Sequence, residues 1–180
     1  AGLALELAEW GSHDLAFLTP PPDGAMAGAL ALLEMLGALQ AGKITAHGKA
    51  LARLPLHPRL GHMLATAGHG AAPMAALLAD RDPLRGVGVD LELRLKALNE
   101  RGRREPGLER IRSEAKRLAR HVGDTRIGEP AAQAALAYPD RIALRRPGDD
   151  PRWLLSGGKG AKMDAGDALA GQRLLVITDT

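Results

Sequence analysis

The chain has 180 residues, of which 46% are hydrophobic and only 2% aromatic, with a formal net charge of +3. It has no Cys, which excludes disulfides and thiolate metal sites and suits a reducing cytoplasm. The longest apolar run, residues 25–39, contains Glu34 and is too short to span a bilayer, so we expect a soluble, cytoplasmic protein with no membrane partner. Ala and Leu are the strongest helix formers, and their abundance predicts a mostly helical fold.

The first third of the chain predicts helices joined by a stiff connector. Residues 1–10 have helical spacing. The three prolines at residues 20–22 predict an extended segment, because each ring fixes φ and disfavours helix in the preceding residue. Asp23 can then cap a helix that runs to about Leu36.

A small hairpin and a capped helix are predicted next. Residues 41–42 are a turn pair between Leu39 and Ile44, typical of a very short hairpin. Thr45 can cap a helix over residues 46–53. Helix, short strand, helix and a proline-marked exit together indicate a small winged-helix-like unit.

The remainder changes from helical to strand character. Helical spacing predicts helices at residues 58–67, 73–79, 90–99, 108–121 and 131–137. Short segments divided by Gly, Asp and Pro predict strands at residues 141–146, 152–156, 161–163 and 173–178. The expected fold class is therefore mostly α with a small β part.

Charge is distributed unevenly along the chain. Residues 1–40 contain five acids and no Lys or Arg, whereas residues 101–121 contain eight bases against three acids, a net charge of +5. A basic segment of this kind attracts phosphate and suggests a polyanionic partner. The alternative is a solvated helix face.

Several motif fragments lack the context that their chemistry needs. Residues 37–43 fit seven positions of a P-loop, but Ile44 stands where Ser or Thr must bind Mg²⁺, and a helix precedes the motif; a helix stop plus a turn explains it better. Residues 12–14 (Ser-His-Asp) are adjacent, so they cannot converge as a triad. His57 and His62 would lie on different sides of a helix, away from a shared metal. No catalytic constellation is predicted.

Four segments together resemble one helicase family. They are LLEMLGAL (32–39), GKITAHG (42–48), ARLPLHPRL (52–60) and residues 63–64, which resemble the winged helix and following region of DEAH-type ATP-dependent helicases. Upstream, FLTPP (17–21) looks like the exit from the second motor domain of that family. Downstream, DRDPLRG (80–86) and AYPDRIA (137–143) resemble the bacterial HrpB-type branch. The resemblance covers nearly the whole chain.

The resemblance implies a domain plan and a role. Residues 1–19 would be the exit from a motor domain outside this sequence, 20–57 the winged helix, 58–137 the helical ratchet domain, and 138–180 the start of an oligonucleotide-binding-type β-unit. ATP and Mg²⁺ would bind to the motor domains, and this chain would hold no cofactor. Its implied role is a non-catalytic accessory region that holds single-stranded nucleic acid, with the motor domains as its other partner.

Within that role, phosphate contacts by Lys and Arg are expected. The candidates are Lys43, Arg59, Arg112, Lys116, Arg117, Arg141, Arg145 and Arg146. For each, the alternative is a solvated charge. For Arg59, at a predicted helix start, a second alternative is a brace between the winged helix and the ratchet.

Two other functions stay open. An independent winged-helix regulator would read duplex DNA with residues 45–53, which offer His47, Lys49 and Arg53 but form a short helix with Gly48 inside it. A protein-interaction scaffold would use the winged helix to bind another domain, and the acidic first 40 residues are compatible with that.

Overall fold

A computed structural model of the chain describes residues 1–11, 19–84, 86–100, 102 and 105–179. Within these residues lie eight α-helices and two small antiparallel sheets, which confirms a mostly α fold with a small β part. The helices are α1 (Gly2–Trp10), α2 (Asp23–Met35), α3 (Ala46–Ala52), α4 (Pro58–Ala67), α5 (Ala72–Leu78), α6 (Leu91–Asn99), α7 (Pro106–Ala119) and α8 (Pro130–Ala137). The Ser-His-Asp run at residues 12–14 lies outside the described part.

The N-terminal unit, residues 1–11 and 19–57, packs α1, α2 and α3 around a two-stranded hairpin. Strands β1 (Leu39–Gln40) and β2 (Lys43–Ile44) are joined by Ala41 and Gly42. Both turn residues have positive φ, 49° and 73°, the geometry of the tight hairpin turns whose twist matches that of the strands. The predicted hairpin is confirmed. The aliphatic core of the N-terminal unit is formed by Ala4, Leu5, Leu33, Ala38, Leu39 and Leu51.

Of the two predicted helix caps in this unit, one is confirmed and one is wrong. The hydroxyl of Thr45 accepts a hydrogen bond from the backbone N–H of Gly48 at 2.9 Å, so Thr45 caps α3. Asp23 does not cap α2: Pro22, with extended backbone, takes the cap position, and Asp23 is the first helical residue. There its carboxylate still lies near the positive end of the helix dipole.

Helices α4 to α8 form a second unit, the helical bundle. Helix α5 packs along α7, and α4 packs along α8. The apolar stripe of α7 (Leu108, Ile111, Ala115 and Leu118) recurs every three or four residues, which places all four side chains on one buried face. These four residues, with Met63, Leu64 and Met74, belong to the largest hydrophobic core among the described residues.

The C-terminal sheet has strand order β5-β4-β3-β6, with every pair antiparallel. Its strands are β3 (Ile142–Arg145), β4 (Arg152–Leu155), β5 (Gly160–Lys162) and β6 (Leu174–Val176), which confirms the four predicted strand segments. Along β4, Arg152 and Leu154 are exposed while Trp153 and Leu155 are buried. The Trp153 indole N–H donates to the carbonyl of Gln172 at 3.1 Å, so the ring is fixed in the small inner core.

Candidate nucleic-acid interface

Arg59 connects the helical bundle to the start of the C-terminal sheet. Its guanidinium donates to both carboxylate oxygens of Asp140, at 2.6 and 2.8 Å, and to the carbonyl of Ala137 at 3.0 Å. These bonds hold the pKa of Asp140 below its usual range, against the opposing effect of burial. Arg59 therefore braces the bundle to residues 137–140, whereas the alternative left open by the sequence was a brace at the junction between the winged helix and the ratchet.

Tyr138 lies within cation–π distance of two guanidinium groups. The ring centroid is 5.1 Å from the Arg59 guanidinium carbon and 5.2 Å from that of Arg141. Arg141 also donates to the carbonyl of Thr178 at 3.0 Å. Burial raises the pKa of the Tyr138 phenol, so this hydroxyl is neutral and can donate a hydrogen bond at physiological pH. Two of the eight candidate cations are thus brought together around one aromatic ring.

An open cleft of about 520 Å³ lies beside this group. Its apolar wall belongs to α2, and its polar wall is formed by His57, Arg59, Tyr138, Arg141, Thr178 and Asp179. All three units of the fold contribute to it, since α2 belongs to the N-terminal unit, Arg59 to the bundle and Arg141 to the sheet. Burial is the main cause that lowers the pKa of His57, so this imidazole is neutral at pH 7.

The two other candidates on the C-terminal sheet differ from each other. Arg145 is half-buried; its guanidinium lies 3.5 Å from the carbonyl of Asp149, and its Nε is buried without a hydrogen-bond partner among the described residues. Arg146 follows β3 and is exposed. Its side chain makes no hydrogen bond or ion pair within the part of the chain described, so its charge is open to a ligand.

On α7, two of the three candidates have intramolecular partners. Arg112 donates to the carbonyls of Ala97, Leu98 and Glu100, at 2.8 to 3.1 Å, and so closes the C-terminal end of α6. Arg117 pairs with Glu114 one turn away, and that bond lowers the pKa of Glu114. Lys116 is exposed and has no such partner in the described residues. Arg101, Arg103 and Arg104 of the same basic segment lie outside the described part of the chain.

Lys43 lies on the exposed side of the hairpin. The stretch that resembles a P-loop begins at Gly37, which ends α2 with φ 68°, and continues through the hairpin turn. Because it neither follows a strand nor opens a helix, a helix stop plus a turn is the correct interpretation. The eight candidates thus lie in three groups, on the hairpin, on α7, and around Tyr138 and β3.

Sequence reasoning missed two polar pairings. His47 and His62, 15 residues apart, share a hydrogen bond of 2.8 Å between Nε2 and Nδ1 that joins α3 to α4. Arg94, buried in α6, pairs with Asp82 at 2.7 Å and donates to three backbone carbonyls of the loop before its helix. Neither pairing has a local sequence signal, because each partner is brought in by the tertiary fold.

Metal and membrane sites were also sought in the described residues. No group of three or more His, Asp or Glu side chains there could hold a metal ion. No helix among those residues is long and apolar enough to cross a bilayer.

Comparison with known proteins finds relatives of similar sequence and fold, although no family model matches the chain. The chain is 36% identical to the ATP-dependent RNA helicase HrpB of Escherichia coli K12, over 98% of the chain and 22% of that protein. Two crystal structures of E. coli HrpB, described as a DExH-box NTPase and as a DEAH/RHA helicase, superpose with TM-scores of 0.76 and 0.78 at 34% identity. Both superpositions cover 97% of this chain and 22% of the other.

The chain thus spans about a fifth of the length of the relatives that it matches. The resemblance found in the sequence and the likeness of the folds agree over nearly all of its residues. Over nearly all of its residues, the chain is therefore similar in sequence and in fold to a C-terminal part of HrpB, a DEAH/RHA helicase.

Proposed function

We propose that this chain is the non-catalytic accessory region of an ATP-dependent helicase and that it holds single-stranded RNA against the motor domains. The similarity to a C-terminal part of an RNA helicase over 98% of the chain carries this proposal. The cleft that all three units line adds to it, because a strand held there would contact the whole region at once.

Binding in the cleft would be independent of sequence. Guanidinium groups and lysines contact phosphate oxygens, and such contacts position a strand without reading its bases. The apolar wall of α2 would face sugars and bases, while Arg141 and the Tyr138 hydroxyl would face the backbone. Arg59 is already held by Asp140, so its proposed role is to position Tyr138 and Arg141 rather than to bind phosphate.

The RNA proposal is tested by fluorescence anisotropy with labelled oligo-U across a salt series. Each phosphate contact contributes about −0.7 to the slope of log K against log salt for single strands. We expect Arg141→Ala to weaken binding and to reduce the slope. Arg126→Ala removes the same charge from an exposed position outside the candidate set and should change neither. Equal slopes in the two variants would overturn the assignment of the interface.

Oligo-dT and duplex DNA serve as comparison ligands. Because the E. coli relative is described as an RNA helicase, we propose RNA as the substrate and expect oligo-U to bind at least as tightly as oligo-dT. An independent winged-helix regulator would instead prefer one duplex sequence by orders of magnitude. The structure weakens that alternative, because His47 is hydrogen-bonded to His62 and is not free to contact a base. Lys49 and Arg53 remain exposed.

The second proposed partner is the motor region of the same helicase, where ATP and Mg²⁺ would bind. Exposed apolar side chains on the N-terminal unit, Leu3, Trp10 and Met35, offer a contact surface, and the charge around them is acidic. On this proposal the chain alone does not hydrolyse ATP, with or without RNA. A phosphate-release assay tests this, and turnover that Lys43→Ala abolishes would restore the P-loop interpretation.

A further inference from the structure

The outer face of the C-terminal sheet carries a row of exposed leucines. Leu144 of β3 stands in register with Leu154 of β4 on one side and with Leu174 of β6 on the other. Their exposed fractions are 49%, 42% and 60%. Side chains opposite one another on antiparallel strands lie about 5 Å apart, so the three form one continuous apolar strip. We call it the leucine row.

The leucine row continues a face that is already an interface within the fold. In the next register position toward the helical bundle, Ile142 of β3 pairs with Val176 of β6. Val176 packs against the core of the bundle, and Ile142 is 39% exposed beside it. The same face of the sheet is therefore packed against the bundle at one end and exposed to solvent at the other, and its side chains are apolar at both ends.

On its other side, the leucine row is bordered by cations. Arg152 of β4 is in register with Lys162 of β5, and its carbonyl accepts a hydrogen bond from the backbone N–H of Arg146 at 2.8 Å. All three side chains are exposed. Arg152 and Lys162 lie two residues along their strands from Leu154 and Gly160, which are in register with each other, so both side chains point to the face of the leucine row. Arg146 follows β3 two residues after Leu144, and its bond to Arg152 continues the same register. Lys162, Arg152 and Arg146 thus form a basic row parallel to the leucine row.

We propose that these two rows dock an acidic protein segment whose apolar side chains cover the leucine row while its carboxylates face the basic row. Arg152 already pairs with Asp150, so the cations of the row without a partner in the described residues are Arg146 and Lys162. A carboxylate placed over either of them is complementary in charge, and the exposed apolar strip beside them supplies the area that burial requires. This inference goes beyond the proposed RNA-holding function and does not depend on it.

A protein segment suits this face better than a nucleic acid does. Single strands without sequence preference are bound by stacking their bases on exposed aromatic rings. The face presents leucines instead, and the one aromatic residue of these strands, Trp153, is buried on the opposite side. Aliphatic side chains are therefore the complementary partners for the leucine row.

The test uses the full chain with ¹³C-labelled leucine methyl groups, observed by NMR. The probe is a short synthetic peptide of alternating Leu and Glu, and the control peptides alternate Ser with Glu and Leu with Lys. We expect the Leu–Glu peptide to shift the methyl signals of Leu144, Leu154 and Leu174, and both controls to bind much more weakly. No shift with the Leu–Glu peptide, or an equal shift with the Ser–Glu peptide, would overturn the proposal.

Variants separate the two rows. Leu144→Ser with Leu174→Ser should weaken the Leu–Glu peptide about tenfold through lost apolar burial. Arg146→Ala with Lys162→Ala should weaken it and reduce its salt dependence. Leu93→Ser, at an exposed leucine of α6, is the matched control and should have no effect.

Two further outcomes would also count against the proposal. Oligo-U that shifts the same methyl signals more strongly than the peptide would make the face a nucleic-acid surface. Self-association in sedimentation experiments that Leu174→Ser abolishes would make it an interface between copies of this chain. If oligo-U binds without disturbing these methyl groups, the RNA-holding function stands by itself and the two proposals are distinguished.

Discussion

The Arg59–Asp140 ion pair should hold the C-terminal sheet to the helical bundle. Replacing Arg59 with Met keeps much of the side-chain length and removes the charge, while Asp140→Asn keeps the shape of its partner. In Arg59→Met, the Asp140 carboxylate and the Ala137 carbonyl both lose a donor. An unpaired group of this kind carries a desolvation penalty that the paired group avoids.

The burial of the pair sets the expected magnitude. Side-chain exposure is 12% for Arg59 and 27% for Asp140, between the exposed pairs that contribute almost nothing and the fully buried pairs. We therefore expect Arg59→Met to destabilise by about 2 to 3 kcal/mol, and the double variant to show a coupling energy of about 1 to 2 kcal/mol. Arg59→Lys should lose much of the same stability, because Lys cannot form the bidentate bond.

Trp153 provides a local probe of the junction. The chain has two Trp residues, so Trp10→Phe leaves the buried Trp153 in the C-terminal sheet as the sole tryptophan. Urea unfolding followed by its fluorescence then reports the sheet. Arg110→Met is the control: it removes an Arg–Asp pair of similar length whose Arg is 59% exposed, and it should change the transition little.

The pair also has a defined pH dependence. The hydrogen bonds from Arg59 lower the pKa of Asp140 in the folded chain, so the resulting stability is present above the unfolded-state pKa of about 3.9. It is lost as pH falls through the lower, folded-state pKa. Wild type and Arg59→Met should therefore differ most at neutral pH and converge in acid. A coupling energy below about 0.5 kcal/mol, or a difference that does not change with pH, would refute the reasoning.

Two further predictions concern the N-terminal unit and can be checked by urea or thermal unfolding. Gly48→Ala would place a Cβ 2.1 Å from the backbone oxygen of Ala38 and should destabilise by about 1 to 3 kcal/mol, whereas Gly28→Ala, in open space on α2, should stabilise by up to about 1 kcal/mol. Burial lowers the pKa of both His47 and His62, so the stability that depends on their neutral forms is lost as pH falls below about 6.5. Between about pH 7.5 and pH 5, His62→Gln should therefore lose less stability than wild type; an equal loss in both would contradict this account.

What could be predicted from the sequence was local. The hairpin follows from a two-residue turn, and the cap of α3 from a hydroxyl placed just before a helix, so both need only a few neighbouring residues. The cap at Asp23 was wrong for an equally local reason: three prolines precede it, and the extended backbone of Pro22 already ends the connector, which makes Asp23 the first helical residue.

What could not be predicted was the pairing of charges over long distances. Arg59 and Asp140 are 81 residues apart, and Arg94 meets Asp82 only because the loop between them folds back over α6. The basic segment at residues 101–121 looked like one phosphate-binding face. The described part of it binds largely to the protein itself, since Arg112 donates to the end of α6, Arg110 pairs with Asp80, and Arg117 pairs with Glu114.

These pairings change which cations can serve a ligand. A guanidinium that already donates to carbonyls and a carboxylate must break those bonds before it binds phosphate, and each broken bond leaves a buried acceptor without a partner. Arg112 and Arg59 are held in this way, whereas Lys43 and Lys116 have no hydrogen bond or ion pair in the described residues. Loss of RNA affinity should therefore follow removal of the second group, while removal of the first should appear as lost stability.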